Sequence, residues 1–266
     1  MPDDADLPPF VAALWAPREA GRRGPRPGLT VPGIVAAAID LADTEGLAAV
    51  SMARVAQALG VTTMALYRYV ASKDELLARM YEAGLADDAG DVRVLPPPAA
   101  DAPAWRTGLH AWFEHQLALV VRHPWLMQAV AANPPFGPQH IAVLEAGFTA
   151  LEGTPLSTSA RTDVLGAASL LMLGEGMVLS ASIAAARLTA APPADADARG
   201  TDDPPKHPAL LDYDTLLRRV TTPERHPGIT RALAAGAFRD DDGDTGVAFR
   251  VDLFLDGVAA LIDRAP

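Results

Sequence analysis

The chain has no cysteine among its 266 residues. That excludes a disulfide scaffold, a thiolate zinc site, an iron–sulfur cluster and a cysteine nucleophile. Aromatic residues are scarce at 6%, although half the residues are hydrophobic. The surplus is alanine and leucine, both good helix formers. Positive charge is also short, with 22 Lys and Arg against 33 Asp and Glu and a net charge of −11. A uniformly basic nucleic-acid binder is thereby excluded. There is no H-E-x-x-H, no glycine-rich phosphate loop and no G-x-S-x-G, so no enzyme is expected. His110 and His115 are five residues apart and do not share a helix face at metal spacing. Neither a metal ion nor a cofactor is expected.

The sequence also lacks a convincing export or membrane signal. Its opening, Met1-Pro2-Asp3-Asp4-Ala5-Asp6, has the wrong sign for a signal peptide. Val164 to Ala186 is an apolar run of 23 residues whose one charge is Glu175. That length suffices for a bilayer. A carboxylate at its middle costs about 2.5–3.5 kcal/mol on insertion scales, so a helix buried in protein is expected instead. The expectation is a cytoplasmic protein with no membrane partner.

What charge there is falls unevenly. Residues 1–81 carry 8 Lys and Arg and 9 Asp and Glu, whereas residues 82–266 carry 14 and 24. Three of the acids in the first part, Asp3, Asp4 and Asp6, sit in the opening tail. The rest of that segment is slightly basic, and contact with a polyanion should be sought there.

Hydrophobic spacing predicts an all-α fold, with a small N-terminal three-helix bundle and a larger C-terminal helical domain. Residues 1–28 read as a flexible Arg/Pro-rich arm whose apolar island, Phe10 to Trp15, can dock elsewhere. Thr30 caps a first helix, with Pro32 in its first turn, a stripe of Ile34, Ala38, Leu41 and Ala42, and a left-handed stop at Gly46. Ser51 caps a second helix, striped by Met52, Val55, Ala56 and Leu59 and ended by Gly60. Thr62 or Thr63 caps a short third helix ending near Tyr69. Ser72 and Glu75 have capping-box spacing at the head of a fourth, which continues to Leu85. Residues 29–75 are thus one domain and 76–266 a second. Proline-rich 95–103 is a linker, and helical patterns follow at 104–121, 138–152, 157–187, 208–220 and 245–264. Residues 190–208 hold five prolines and four aspartates, too little apolar surface for a core, and read as a mobile loop.

Helix, Gly60 turn and short helix over 51–69 form a helix-turn-helix pattern. Such a unit needs a protruding second helix to enter a major groove about 12 Å wide. It needs a first helix that braces it, with N-terminal amides near a phosphate. Ala56 suits a close helix crossing. Leu66 and Val70 can point into the bundle, which leaves Thr62, Thr63, Met64, Tyr67 and Arg68 outside.

Three segments make a resemblance specific: Ala42-Asp43-Thr44-Glu45-Gly46-Leu47, Ser51 through Val61, and Leu66-Tyr67-Arg68-Tyr69-Val70 followed by Lys73-Asp74-Glu75-Leu76-Leu77. Over Thr30 to Leu85 the chain resembles the DNA-binding domain of the TetR family of bacterial transcriptional repressors. His123-Pro124-Trp125, Gly137-Pro138 and the stretch Phe249 to Val258 resemble, more weakly, the C-terminal domain of the tetracycline-repressor subgroup. The resemblance implies that Thr63, Met64 and Arg68 face base edges. It implies that Tyr67, Tyr69 and Lys73 meet phosphates, with Ser51 and Thr62 adding hydroxyl contacts. Ala53 and Ala65 stand where the tetracycline repressor has a base-reading arginine and a threonine, so that operator is an unsuitable target. Arg54 is placed to reach the DNA backbone instead. Arg22, Arg23 and Arg26 resemble the basic extension of some members, and serve either DNA or solubility.

The same resemblance implies a homodimer on a palindromic operator of double-stranded DNA, and a small-molecule effector in the C-terminal domain. Small residues along 164–186, with Phe249, Leu253, Phe254, Gly257, Val258 and Leu261 on the last helix, suit a four-helix interface. Candidate ligand contacts are Trp112, His115, Trp125, Met127, Phe136, Met172 and Glu175, each also readable as ordinary core. A repressor released by its ligand is the expectation. A regulator that activates, or that answers no ligand, is the alternative.

Overall fold

The structure is a computed structural model, and it describes residues 7, 9–15, 29–86, 102–132, 136–190, 213–238 and 246–265. Among these residues every regular element is helical: twelve α-helices and one 3-10 turn, with no strand. Contacts divide the chain into two compact units, Met1–Ser180 with Val251–Pro266, and Ala181–Arg250.

The first unit begins with α1 (Pro9–Trp15), the apolar island of the arm. Part of the arm is therefore ordered. Val11 is buried, α1 packs against α5, and Trp15 Nε1 donates to the Phe136 carbonyl at 2.8 Å. The N-terminal bundle follows as α2 (Val31–Glu45), the 3-10 turn Leu47–Ala49, α3 (Met52–Ala58), α4 (Thr63–Leu66) and α5 (Lys73–Leu85). Each helix starts where a side chain takes up an orphan amide. Thr30, Ser51, Thr62 and Ser72 accept from the amides of Gly33, Arg54, Ala65 and Glu75 at 3.0–3.2 Å. The box at Ser72 differs from the expected form, because Glu75 accepts from the Ala71 amide (2.8 Å) and so reaches one residue beyond the cap. Gly46 and Gly60 both take positive φ, +85° and +67°. Gly46 combines this with ψ 162°, so it ends α2 in an extended glycine conformation and not the left-handed helical one expected. The bundle core joins Ile34, Ala38, Val50, Val55, Leu66, Val70, Leu76 and Met80, all fully buried.

The rest of this unit comprises α6 (Ala104–Arg122), α7 (Leu126–Ala132), α8 (Pro138–Ala150), most of α9 (Thr158–Ala190) and most of α12 (Val247–Asp263). Trp112 anchors it, donating to the Val143 carbonyl at 2.8 Å and meeting Phe113 edge-on. Arg106 on α6 holds Asp252 and Asp256 on α12 at 3.0 and 2.8 Å. Among the described residues only α9 is long and apolar enough to cross a membrane. Its Glu175 and Ser180 are buried against protein. The second unit contains α10 (Tyr213–Val220) and α11 (Pro227–Ala234), tied by Arg218 donating to the Leu233 carbonyl at 2.6 Å.

Three departures from the periodicity have local causes. The third helix ends at Leu66 and not near Tyr69, and the chain continues as a turn in which Tyr69 and Val70 amides both bond the Leu66 carbonyl. Helix α7 escapes notice because Pro124 interrupts the pattern just before it. Helix α11 escapes because eight residues are too few for a clear period.

Gly137 precedes α8 so closely to α5 that a Cβ there would lie 2.1 Å from Glu82 Cδ. The Glu82 carboxylate accepts from the amides of Gln139 (2.7 Å) and His140 (3.3 Å), so it cannot swing away without abandoning buried donors. Gly137→Ala is expected to lower unfolding stability by about 1–3 kcal/mol, read as a lower urea midpoint at unchanged slope.

Candidate nucleic-acid interface and its support

A helix of four residues cannot sustain itself, since nucleation alone is unfavourable. Helix α4 is held from both sides. Thr62 Oγ1 caps its start, and Leu66 and Val70, both fully buried, pin its inner face to the bundle. Gly60 turns the chain between α3 and α4, and the Val61 amide returns to the Ala56 carbonyl at 2.9 Å. Pinning one face forces the other outward. Met64 is 75% exposed, Tyr67 46% and Tyr69 43%. Thr62, Arg68 and Lys73 are exposed, and Ser51 and Thr63 half-buried. Nine of the residues expected to meet DNA thus lie along the capped starts and outer sides of α3, α4 and α5. Arg22, Arg23 and Arg26 lie outside the described residues.

Arg54 has a partner that the sequence reading did not assign. Its two terminal nitrogens meet both carboxylate oxygens of Glu45, at 2.8 and 2.7 Å. This hydrogen-bonded pairing holds the Glu45 carboxyl below the usual range and the Arg54 guanidinium above its own. The pair is exposed, so its contribution is small and screened by salt. Its effect is to hold a planar cation at the rim of α3.

Two carboxylates carry the bundle on the following helices. Asp43, near the end of α2, accepts from Trp125 Nε1 at 2.7 Å and faces His123 Nδ1 at 2.9 and 3.0 Å. An ionised carboxylate only accepts, so the proton belongs on Nδ1. Glu82, on α5, binds the first amides of α8, where the helix dipole favours a negative charge. Burial nevertheless raises the Glu82 carboxyl above its ordinary value. Beside it, Tyr81 Oη and His140 Nδ1 are 3.4 Å apart. Burial pushes the Tyr81 hydroxyl up and the His140 ring down. Neither Asp43 nor Glu82 was singled out from sequence. For Glu82 the available signal was an acid in an otherwise apolar stretch near a helix end, whereas Asp43, between Asp40 and Glu45, carries no such mark.

The candidate ligand residues have separate surroundings. Trp112 and Trp125 are buried and spend their indole N–H groups on Val143 and Asp43. Met127 and Met172 converge on Gly176, where an added Cβ would stand 2.5 Å from the Met127 sulfur. Glu175 is buried one residue away and His115 is half-buried on α6. Phe136 is 54% exposed, and its carbonyl belongs to Trp15. Among the described residues no group of His, Asp and Glu is placed to hold a metal ion. Outward-facing apolar and small side chains line α9 (Gly166, Leu170, Gly174, Met177, Val178) and α12 (Leu253, Gly257, Leu261).

Comparison with known proteins agrees with this geometry. The family model described as "Bacterial regulatory proteins, tetR family" matches residues 34–80. The HTH-type transcriptional repressor DrrR1 of Streptomyces coeruleorubidus is 39% identical over 148 residues, covering 54% of this chain and 51% of that one. An HTH-type transcriptional regulator of Saccharopolyspora erythraea is 32% identical over 157 residues, covering 58% and 61%. The chain thus spans between half and two thirds of these relatives. The crystal structure of the Streptomyces coelicolor TetR family protein ActR in complex with actinorhodin superposes with a TM-score of 0.66 at 19% identity. That match covers 91% of this chain and 100% of that one.

The pair behind the interface gives a pH signature. His140 has a folded value below its ordinary 6.5, so its stabilisation is present above that pH and is lost as the pH falls through the lowered value. Glu82, raised by burial, has the opposite sign: its contribution is complete below the free-carboxyl value and lost as the pH rises. His140→Gln should therefore lose less stability than the wild type on acidification from pH 7.5 to 5, measured by urea unfolding at each pH.

Proposed function

We propose that the chain, whose residues 34–80 match the family model described as "Bacterial regulatory proteins, tetR family", is a DNA-binding transcriptional repressor of that family. It binds a palindromic operator as a homodimer in the cytoplasm. It leaves that operator when a small, largely apolar molecule occupies its C-terminal half. The observation that carries this reading is the outward set on α4. An exposed methionine, two half-exposed tyrosines, an exposed threonine and an exposed arginine surround one short helix. Folding gains nothing from exposing Met64, whereas its methyl suits a thymine methyl.

Each group has a task in this reading. Thr63, Met64 and Arg68 read base edges, with Arg68 placed for a guanine. Tyr67, Tyr69 and Lys73 fix register on phosphates, aided by the Ser51 and Thr62 hydroxyls. Arg54, held by Glu45, exchanges that carboxylate for a phosphate. Overall acidity is no obstacle, since the contacts are local and the acids are concentrated beyond residue 81. The outward faces of α9 and α12 supply the two-fold interface, which sets two recognition helices one DNA turn apart. Met127, Met172 and Glu175 are favoured as effector contacts, because two flexible thioethers beside a buried acid suit an apolar ligand with a polar handle. The name of DrrR1 as a repressor and the actinorhodin complex of ActR support the same assignment. Ligand release then follows by linkage: a ligand preferring the wrongly spaced dimer weakens DNA, and DNA weakens the ligand.

Binding to duplexes selected from a random library, read by fluorescence anisotropy across salt, tests this. Tyr67→Ala and Lys73→Ala should weaken all sequences, Lys73→Ala lowering the salt slope by about one per subunit. Arg68→Ala should relax one base position, at about 1–3 kcal/mol of lost discrimination. An unchanged salt slope for Lys73→Ala contradicts its phosphate role. Leu170→Glu or Leu253→Glu should give monomers in sedimentation and abolish operator binding. A dimer that survives both changes places the interface elsewhere.

A further inference from the structure

His123-Pro124-Trp125 is one tripeptide with three separate attachments. Pro124 cannot continue α6 and biases the residue before it away from helical geometry. His123 accordingly leaves the helix at φ −126°, ψ 75°, with its amide still bonded to the Leu119 carbonyl at 2.8 Å. The bend places the His123 and Trp125 rings 5.5 Å apart, and both address the same Asp43 carboxylate on α2. The proline carbonyl between them accepts from Ser180 Oγ on α9 at 2.6 Å. His123, Trp125 and Ser180 are all buried. Trp125 and Leu126 also press on Gly84 of α5, where an added Cβ would lie 3.0–3.2 Å from them.

From this we propose that the tripeptide is a joint, and that Asp43 is a positioning residue which sets where α4 stands relative to α9. The α2 helix belongs to the bundle that carries α4, while α9 carries the outward apolar face. A carboxylate that accepts from two rigid ring donors fixes direction as well as distance. A single charge-assisted bond to a flexible side chain would fix only the latter. None of its residues is among the base-reading side chains, so it acts on their placement and not on their chemistry. Its consequence for operator choice rests on the DNA-binding reading above; the joint itself does not.

The absence of cysteine makes the direct measurement clean. Spin labels at Met64→Cys and Glu152→Cys, diluted with unlabelled protein, report the distance from α4 to the α8–α9 turn within one chain. The parent pair should give a narrow distribution. Asp43→Asn, and the milder Trp125→Phe that keeps the ring and removes its donor, should broaden and shift it. Arg106→Gln, which breaks the α6–α12 ion pairs instead, should leave it unchanged. An unaltered distribution in Trp125→Phe, or equal broadening in Arg106→Gln, overturns the joint. In parallel, inverted repeats with varied spacers are built from whichever half-site the wild type selects. The wild type should prefer one spacer sharply, and Asp43→Asn should lose that preference. A uniform loss across spacers means that Asp43 only stabilises the fold, and refutes its positioning role. If the wild type selects no inverted repeat, the DNA-binding reading fails, while the distance measurement still decides the joint.

Discussion

The structure depends on the burial of Leu66 and Val70. Four helical residues have no stability of their own, and the outer face of α4 is assembled from groups that would otherwise be solvated at random. Two side chains in the bundle core, with Thr62 at the helix start, convert that segment into a rigid ridge. The neighbours follow from this. Ala56 is small because α4 crosses close to α3. Gly60 has positive φ because the chain must reverse within a few residues.

A second constraint is how an acidic protein uses its acids. Among the described residues several, such as Asp74, Glu114, Glu152 and Asp163, are exposed. A few are structural. Glu45 holds Arg54, Glu75 links the Ala71 amide to Arg79, Asp43 collects two ring donors, and Glu82 sits on the N-terminus of α8. The last two join the bundle to the helices behind it. Both are carboxylates for the same reason: one acceptor group can satisfy two donors that approach from another element. Burial pushes the Glu82 carboxyl up, because its desolvation outweighs its two amide bonds.

Much of the N-terminal half was legible from local rules. Thr30, Ser51, Thr62 and Ser72 cap the helices that their position in the sequence indicates, and Leu66 and Val70 point inward as their spacing requires. These are interactions within four residues, which a linear reading captures. The candidate interface was legible for the same reason, since its outer side chains are simply those left over once the buried stripe is identified. The C-terminal half was less legible. Its helices are rich in alanine and glycine on every side, so periodicity distinguishes a buried face from an outward one only weakly. Phe136 and Trp125, chosen as amphipathic candidates for a ligand, stand on solvent and on Asp43 respectively.

By itself the sequence determined an all-α chain with a capped helix-turn-helix and an outward α4, because caps, glycine turns and apolar stripes act between near neighbours. The tertiary structure alone decided that Asp43 meets residues 80 and 82 positions later, that Glu82 seats α8, and that Trp15 anchors the arm at Phe136. Those contacts depend on how whole helices pack, and no local pattern marks which distant donor a carboxylate will find.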